Sequence, residues 1–225
     1  MTATLLIPLV GPLQAWGVDA RFGLRQTGME PSKSGVIGLC CAALGRDRHD
    51  SIEDLSSLLF GVRVDREGHL SRDFHTALDV GMSKGGISKH PDVSNRWYLA
   101  HAAFLAGLQG PASVLTSIHQ ALQQPHWSLA LGRKSCPPSV PPGSGALVNL
   151  PLLEALINHE PLAEKVDCYR LVLEDPQGSQ TRPDQLLGPF SERRFGLRRV
   201  TTTTVPRQPS PENQINKSDH HLQAS

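Results

Sequence analysis

The chain carries almost no net charge: 22 Lys and Arg against 21 Asp and Glu leave +1 over 225 residues. That excludes a uniformly basic nucleic-acid binder. Any phosphate contact must come from local clusters of cations, and non-specific binding by the isolated chain should be weak and salt-sensitive. Cysteine is sparse. Cys40, Cys41, Cys136 and Cys168 form no Cys-x-x-Cys pair, and no nearby histidine completes a zinc pattern. All four read as reduced thiols that pack like small apolar side chains, and no metal or other cofactor is expected. No apolar run approaches the ~20 residues that span a bilayer. The N-terminus lacks a basic leader region, and Pro8 and Gly11 interrupt its apolar stretch. A cytoplasmic protein with no membrane partner is expected. A Gly-x-x-x-x-Gly-Lys-Ser/Thr loop is also missing, which removes the usual nucleoside-triphosphate hydrolases.

What the chain does have is 18 prolines and 20 glycines beside a hydrophobic fraction of 39%, enough for a core under a loop-rich surface. Residues 4–10 read as a strand buried on both faces, with Pro8 suggesting an edge or a bulge. A helix is predicted over 34–45, ending at Gly45. Ser51 and Asp54 form a weak capping box before Leu55, Leu58 and Leu59. Phe60–Asp65 alternates like a strand. From Asp73 to Tyr98 the chain becomes polar, basic and glycine-rich, as a projecting finger would. Residues 99–108 read as a strand. Gly110-Pro111 opens a helix whose face carries Val114, Leu115, Ile118, Ala121 and Leu122. A short strand is predicted at 127–131, followed by a Pro-rich loop, a short helix near 149–157 and strands at 168–174 and 193–205. After Pro206 the composition is that of a disordered tail.

The first half therefore reads strand, helix, strand, strand, helix, strand. This is the order of an α+β, ferredoxin-like sandwich, shared with RNA-recognition-motif proteins. We divide the chain into an RNA-binding domain over 1–140, with a finger inserted at about 76–97, a C-terminal elaboration over 141–205, and a tail over 206–225.

Four places can hold chemistry. In the loop before the first helix, Arg21, Arg25 and Lys33 approach Ser34 and Gly35, whose position at a helix start favours an anion. The finger carries Lys84, Lys89, His90 and Arg96, with Trp97 available to stack on a base. Arg133, Lys134 and Ser135 follow a strand end. In RRFGLRR, residues 193–199, alternation sets Arg194, Gly196 and Arg198 on one face and Arg193, Phe195 and Leu197 on the other, so one arginine row should face solvent or a ligand.

The segments GPLQAWG, RFGLRQTG and PSKSGVIGL, within 11–48, together with LGRKSCPP at 131–138, resemble the CasD subunits of Cascade, the type I-E CRISPR surveillance complex. The resemblance covers most of residues 1–140 and only loosely the C-terminal third. It implies a non-catalytic relative of the repeat-associated RNA-binding proteins that caps the 5′ handle of the guide crRNA. A thumb in the position of the finger would reach over that RNA. The implied partners are the backbone subunits, the large subunit and, through the complex, target DNA. A repeat-processing endoribonuclease of the type I-C kind is the alternative, drawing on His75, His90, His101, Tyr98 and Lys84 or Lys89, although no spacing gathers these on one face. A purely structural adaptor is the other.

Overall fold

The computed structural model describes residues 2–17, 20–21, 24–81, 85–88, 90–164 and 167–207. In chain order the elements are β1 (Thr2–Val10), β2 (Leu13–Gln14), β3 (Ala20–Arg21), β4 (Leu24–Arg25), α1 (Lys33–Leu44), α2 (Glu53–Ser56), β5 (Leu59–Arg66), β6 (His69–Ala77), β7 (Asp92–Ala100), β8 (Ala103–Pro111), α3 (Ala112–Gln123), β9 (Leu147–Val148), α4 (Leu152–Asn158), β10 (Cys168–Glu174), β11 (Gln180–Leu186) and β12 (Phe195–Pro206). They build two sheets. The larger is antiparallel, in the order β11-β12-β10-β5-β8-β1-β9. In the smaller, β7 pairs along its length with β6 on one side and with β2 and β4 on the other, while β3 pairs with β4.

The unbroken apolar run of β1 follows from its place inside the large sheet. Leu5, Ile7 and Leu9 join the core that includes Val36 and Ile37 of α1 and Leu115 and Ile118 of α3. Leu6 joins a second core with Leu152 and Leu156 of α4. Both faces are covered, so both are apolar. Pro8 lies beyond Thr4 and Leu5, the residues β9 pairs with, so β1 tolerates a proline without being an edge strand. Under α4, Gly61 and Gly107 are cross-strand partners. A Cβ on Gly107 would come within 2.5 Å of Leu152 Cδ1, so the missing side chains form the seat for the helix.

The first helix begins one residue earlier than expected and ends as expected, on Gly45 in a left-handed conformation (φ 72°). Residues 99–108 are not one strand. The chain turns at His101 (φ 57°), ending β7 and starting β8. The strand predicted at 127–131 is absent. There the backbone is spent elsewhere: His126 and Trp127 donate to the carbonyls of Ala43 and Ala42, and Leu131 donates to Cys136 O. The strand beside β1 is β9 instead, twenty residues on by sequence number 147. Strand β11 had no sequence signal. QTRPDQL does not alternate, and its pairing with β12 is irregular around Pro183.

Arg63, on β5, is wholly buried. Its guanidinium forks onto Asp65 (2.7 and 2.8 Å), donates to the carbonyls of Leu156, His159 and Glu160 at the end of α4, and lies 4.2 Å from the Tyr169 ring centroid. Every donor at this site has an acceptor, the condition under which a buried cation is tolerated.

Candidate nucleic-acid interface

The two blocks that carry the family resemblance interlock. Trp16 is buried, donating from its indole to Gln14 Oε1, and Gln14 in turn donates to the carbonyls of Leu9 and Ala102. The Ala15 N–H donates to Leu131 O at 3.0 Å. Gly132 (φ 87°) packs so closely that a Cβ would sit 1.8 Å from Ala15 O. Glycine is required there by both backbone angle and space. The loop 11–17 is thus pinned to 131–136.

Arg133 extends that joint. Its guanidinium donates to Trp97 O (3.1 Å) and Arg25 O (2.9 Å) and stacks 4.8 Å from the Tyr98 ring centroid. It holds β4 against β7. Around it stand the exposed residues Arg25, Lys134 and Ser135. Arg25 is in register with Arg96 on the parallel β4–β7 pair, and Arg96 is half-buried, donating to Ser94 Oγ at 3.2 Å. Of Arg21 only the backbone, in β3, is described. Lys84 and Lys89 lie outside the described residues.

Strands β6 and β7 carry a second feature. Cross-strand pairs share a face, so Arg72, opposite Trp97, and Phe74, opposite Asn95, stand side by side. The Arg72 guanidinium lies 6.0 Å from the Trp97 ring centroid, and Phe74 is 66% exposed. The strand begins at His69, ahead of the finger expected from Asp73, and neither Arg72 nor Phe74 is among the residues singled out from the sequence. The alternation of Leu70, Arg72 and Phe74 was the available signal.

Other residues expected at the RNA have partners within the protein. Lys33 is buried, with its ammonium 2.9 Å from Glu174. Burial, partly offset by the hydrogen bond to Glu174, holds its pKa below the usual lysine value. The Lys33 N–H donates to Asp184 Oδ2 (2.7 Å), and Gly35 N–H donates to Ser32 Oγ. The anion seat at the start of α1 is therefore occupied by the chain's own carboxylate. Ser34 is half-buried beside it, and Gly35 leaves room for Trp16, whose ring a Cβ would meet at 2.9 Å. In β12 the alternation holds, but Arg198 points inward and forks onto Asp184 at 2.9 Å, while Phe195 and Leu197 face out. Arg194 is exposed and paired with Glu192.

Residues 4–201 match the family described as CRISPR-associated protein (Cas_Cas5). The chain belongs to this Cas5 family. It is 34% identical over 177 residues to "CRISPR system Cascade subunit CasD" of Escherichia coli strain K12, a match covering 72% of this chain and 79% of that protein. Among solved structures it resembles a "Cas protein" crystal structure (44% identity, TM-score 0.76, covering 91% of this chain and 95% of the other). It also resembles a chain of a "CRISPR RNA-guided surveillance complex" (30% identity, TM-score 0.77, covering 94% and 96%). The Cas5 match runs through β10, β11 and most of β12, so residues 141–201 fall within the family match, beyond the loose likeness read from the sequence.

Proposed function

We propose that this chain is a non-catalytic subunit of a type I-E CRISPR surveillance complex and holds the 5′ handle of the guide crRNA on its smaller sheet. The observation that carries the reading is the interlock of 11–17 with 131–136, which leaves Arg25, Lys134 and Ser135 exposed around the buttressing Arg133. Cations spaced along a strand edge suit a phosphate backbone, and Trp97 with Arg72 and Phe74 suits unstacked bases. The family membership and the likeness to a Cascade subunit support the same assignment.

The order β9-β1-β8-β5, with α1 and α3 in the crossings, fits a ferredoxin-like sandwich. The β6–β7 hairpin with its 78–91 connection fits the thumb, and its exposed Leu70, Phe74 and Val93 suit a neighbouring backbone subunit as well as RNA. The large subunit and guide-paired target DNA would be met through the assembly. Within the RNA-contacting set we keep Arg21, Arg25, Lys84, Lys89, Arg96, Trp97, Lys134, Ser135 and Arg194. Lys33, Ser34, Gly35, Arg133 and Arg198 act by shaping the surface.

A non-catalytic role is supported by the spread of the groups an endoribonuclease would need. Tyr98 is 7% exposed and lies beneath Arg133. His75 is opposite Ser94, four residues along the strand from Tyr98 and therefore about 13 Å away. His101 sits by His69 at the hairpin's base.

Charge reversal tests the reading. Arg25→Glu with Lys134→Glu is expected to reduce incorporation of the guide into the reconstituted complex at least tenfold, with an unchanged melting temperature. Normal incorporation would refute it.

A further inference from the structure

The two sheets are joined where the chain passes from one to the other, at 10–13, 25–33, 66–69 and 100–103. Arg170 reaches two of these segments from β10, forking onto Glu67 (2.6 and 2.7 Å) and donating to Glu30 (3.1 Å). We propose that Arg170 is a positioning residue for guide loading, which holds the smaller sheet at one orientation on the larger without touching RNA itself. This rests on the RNA-binding role proposed above and adds to it the residue that sets the joint.

The anchor is rigid. Strand β10 lies inside the larger sheet, with Arg170 opposite Val64 of β5 on one side and Thr204 of β12 on the other. Its Nε and Nη2 go to Glu67 and its Nη1 to Glu30. Glu67 lies in the two-residue link between β5 and β6, at the base of the hairpin. Glu30 lies in the segment that leaves β4 at Arg25 and enters α1 at Lys33. Its other oxygen accepts from Arg182 of β11 at 2.8 Å, and Asp184 of the same strand accepts the Lys33 N–H. Strands β10 and β11 together thus set how the chain leaves β4. The opposite side of the joint has its own tie, the buried Gln14, which donates to Leu9 O and Ala102 O.

Removing the guanidinium would do more than cut two contacts. The Glu30 side chain is only 12% exposed, and a carboxylate so placed stays ionised at low cost only beside its partners. Arg170 also stands between Glu30 and Glu67. Its loss leaves two like charges across the joint, which push the hairpin base away from the start of α1. The joint then samples several orientations. Guide RNA selects the one in which Arg25 and Lys134 meet it together, so its apparent affinity falls by the fraction of time that orientation is populated. A joint set in advance avoids that loss.

The test pairs guide loading into the reconstituted complex with a distance measurement in the full chain. Nitroxide labels are placed by Leu70→Cys on β6 and Leu197→Cys on β12, both exposed positions, in a Cys168→Ser background. Arg170→Met keeps the apolar stem of the side chain. It is expected to raise the guide concentration for half-loading about fivefold, as a joint productive for about a fifth of the time would, and to broaden the label distance distribution. Glu30→Gln leaves the Arg170–Glu67 fork in place and is expected to shift both in the same direction by less, about twofold in loading. Normal loading by either variant, or reduced loading with unchanged label distances, would overturn the proposal. So would improved loading by Glu30→Gln, the result expected if a freed Arg170 met phosphate itself. If Arg170→Met does not fold, Glu30→Gln decides alone. Normal loading by Arg25→Glu with Lys134→Glu would overturn the RNA-binding reading and this proposal with it, whereas unchanged label distances overturn only this one.

Discussion

In the larger sheet, Arg63 and Arg198 point inward and each forks onto an aspartate. In the smaller sheet, Arg25 and Arg72 stand on the surface beside Arg96 and Trp97. The residue type is the same and the consequence is opposite. Arg63, buried with every donor placed, cross-links β5 to the distant end of α4, whereas an exposed arginine costs little to change and keeps its charge for a ligand. Near-neutral net charge is thus compatible with an RNA-binding face: cations and carboxylates cancel in the interior and leave a local positive edge elsewhere.

The contrast can be broken most severely at Arg63. Arg63→Ala should destabilise the chain by about 3–5 kcal/mol, since it strands Asp65 and three carbonyls. Arg72→Ala should change stability by less than ~0.5 kcal/mol yet weaken guide loading. Chemical denaturation measures both, and equal losses would erase the distinction. Gly132→Ala should be next, costing about 1–3 kcal/mol for the left-handed backbone and more for the collision with Ala15 O. It should also lower guide loading, because the joint under Arg25 and Lys134 shifts.

Thiol labelling sharpens the comparison chemically. Burial raises the Cys40 and Cys136 thiols above their usual value, and pushes Cys41 up to about 11. Exposed Cys168 should label rapidly in the native protein, the other three only on unfolding. More than one fast thiol would mean that the α1 core opens. The smallest effect is expected at the surface pair of Arg46 and Asp54. Hydrogen bonding from Arg46 holds Asp54 below its ordinary 3.8. The folded state therefore binds the proton less readily than the unfolded chain. The pair's contribution is present above about pH 3.8 and is lost as pH falls through the folded value. Exposure keeps it under ~1 kcal/mol, and Asp54→Asn should remove that part of the acid dependence in pH-resolved melts.

Strands β1 and β10 and helices α1 and α3 were legible because their own residues carry the pattern: a buried run in β1, Gly45 after α1, one apolar face in α3. Strand β11 was hidden by Pro183 and by polar side chains that pair with other elements. At the candidate site the two blocks within 11–48 and at 131–138 were visible, and so was Arg25. The fate of Lys33 was not, since Glu174 lies 141 residues away and the carboxylate at its N–H 151 away. Local spacing cannot reveal a cation neutralised from that distance. Arg198 escaped for a nearer reason: alternation gives two faces of a strand but not which one is inside.

Residue-resolved crosslinking of the assembled complex, with guide RNA carrying photoreactive nucleotides through its 5′ handle, tests the central claim most directly. Adducts are expected at Arg25, Arg96, Trp97, Lys134 and Ser135, and none at Lys33. A handle that crosslinks elsewhere in the particle, leaving those five residues unmarked, would contradict it.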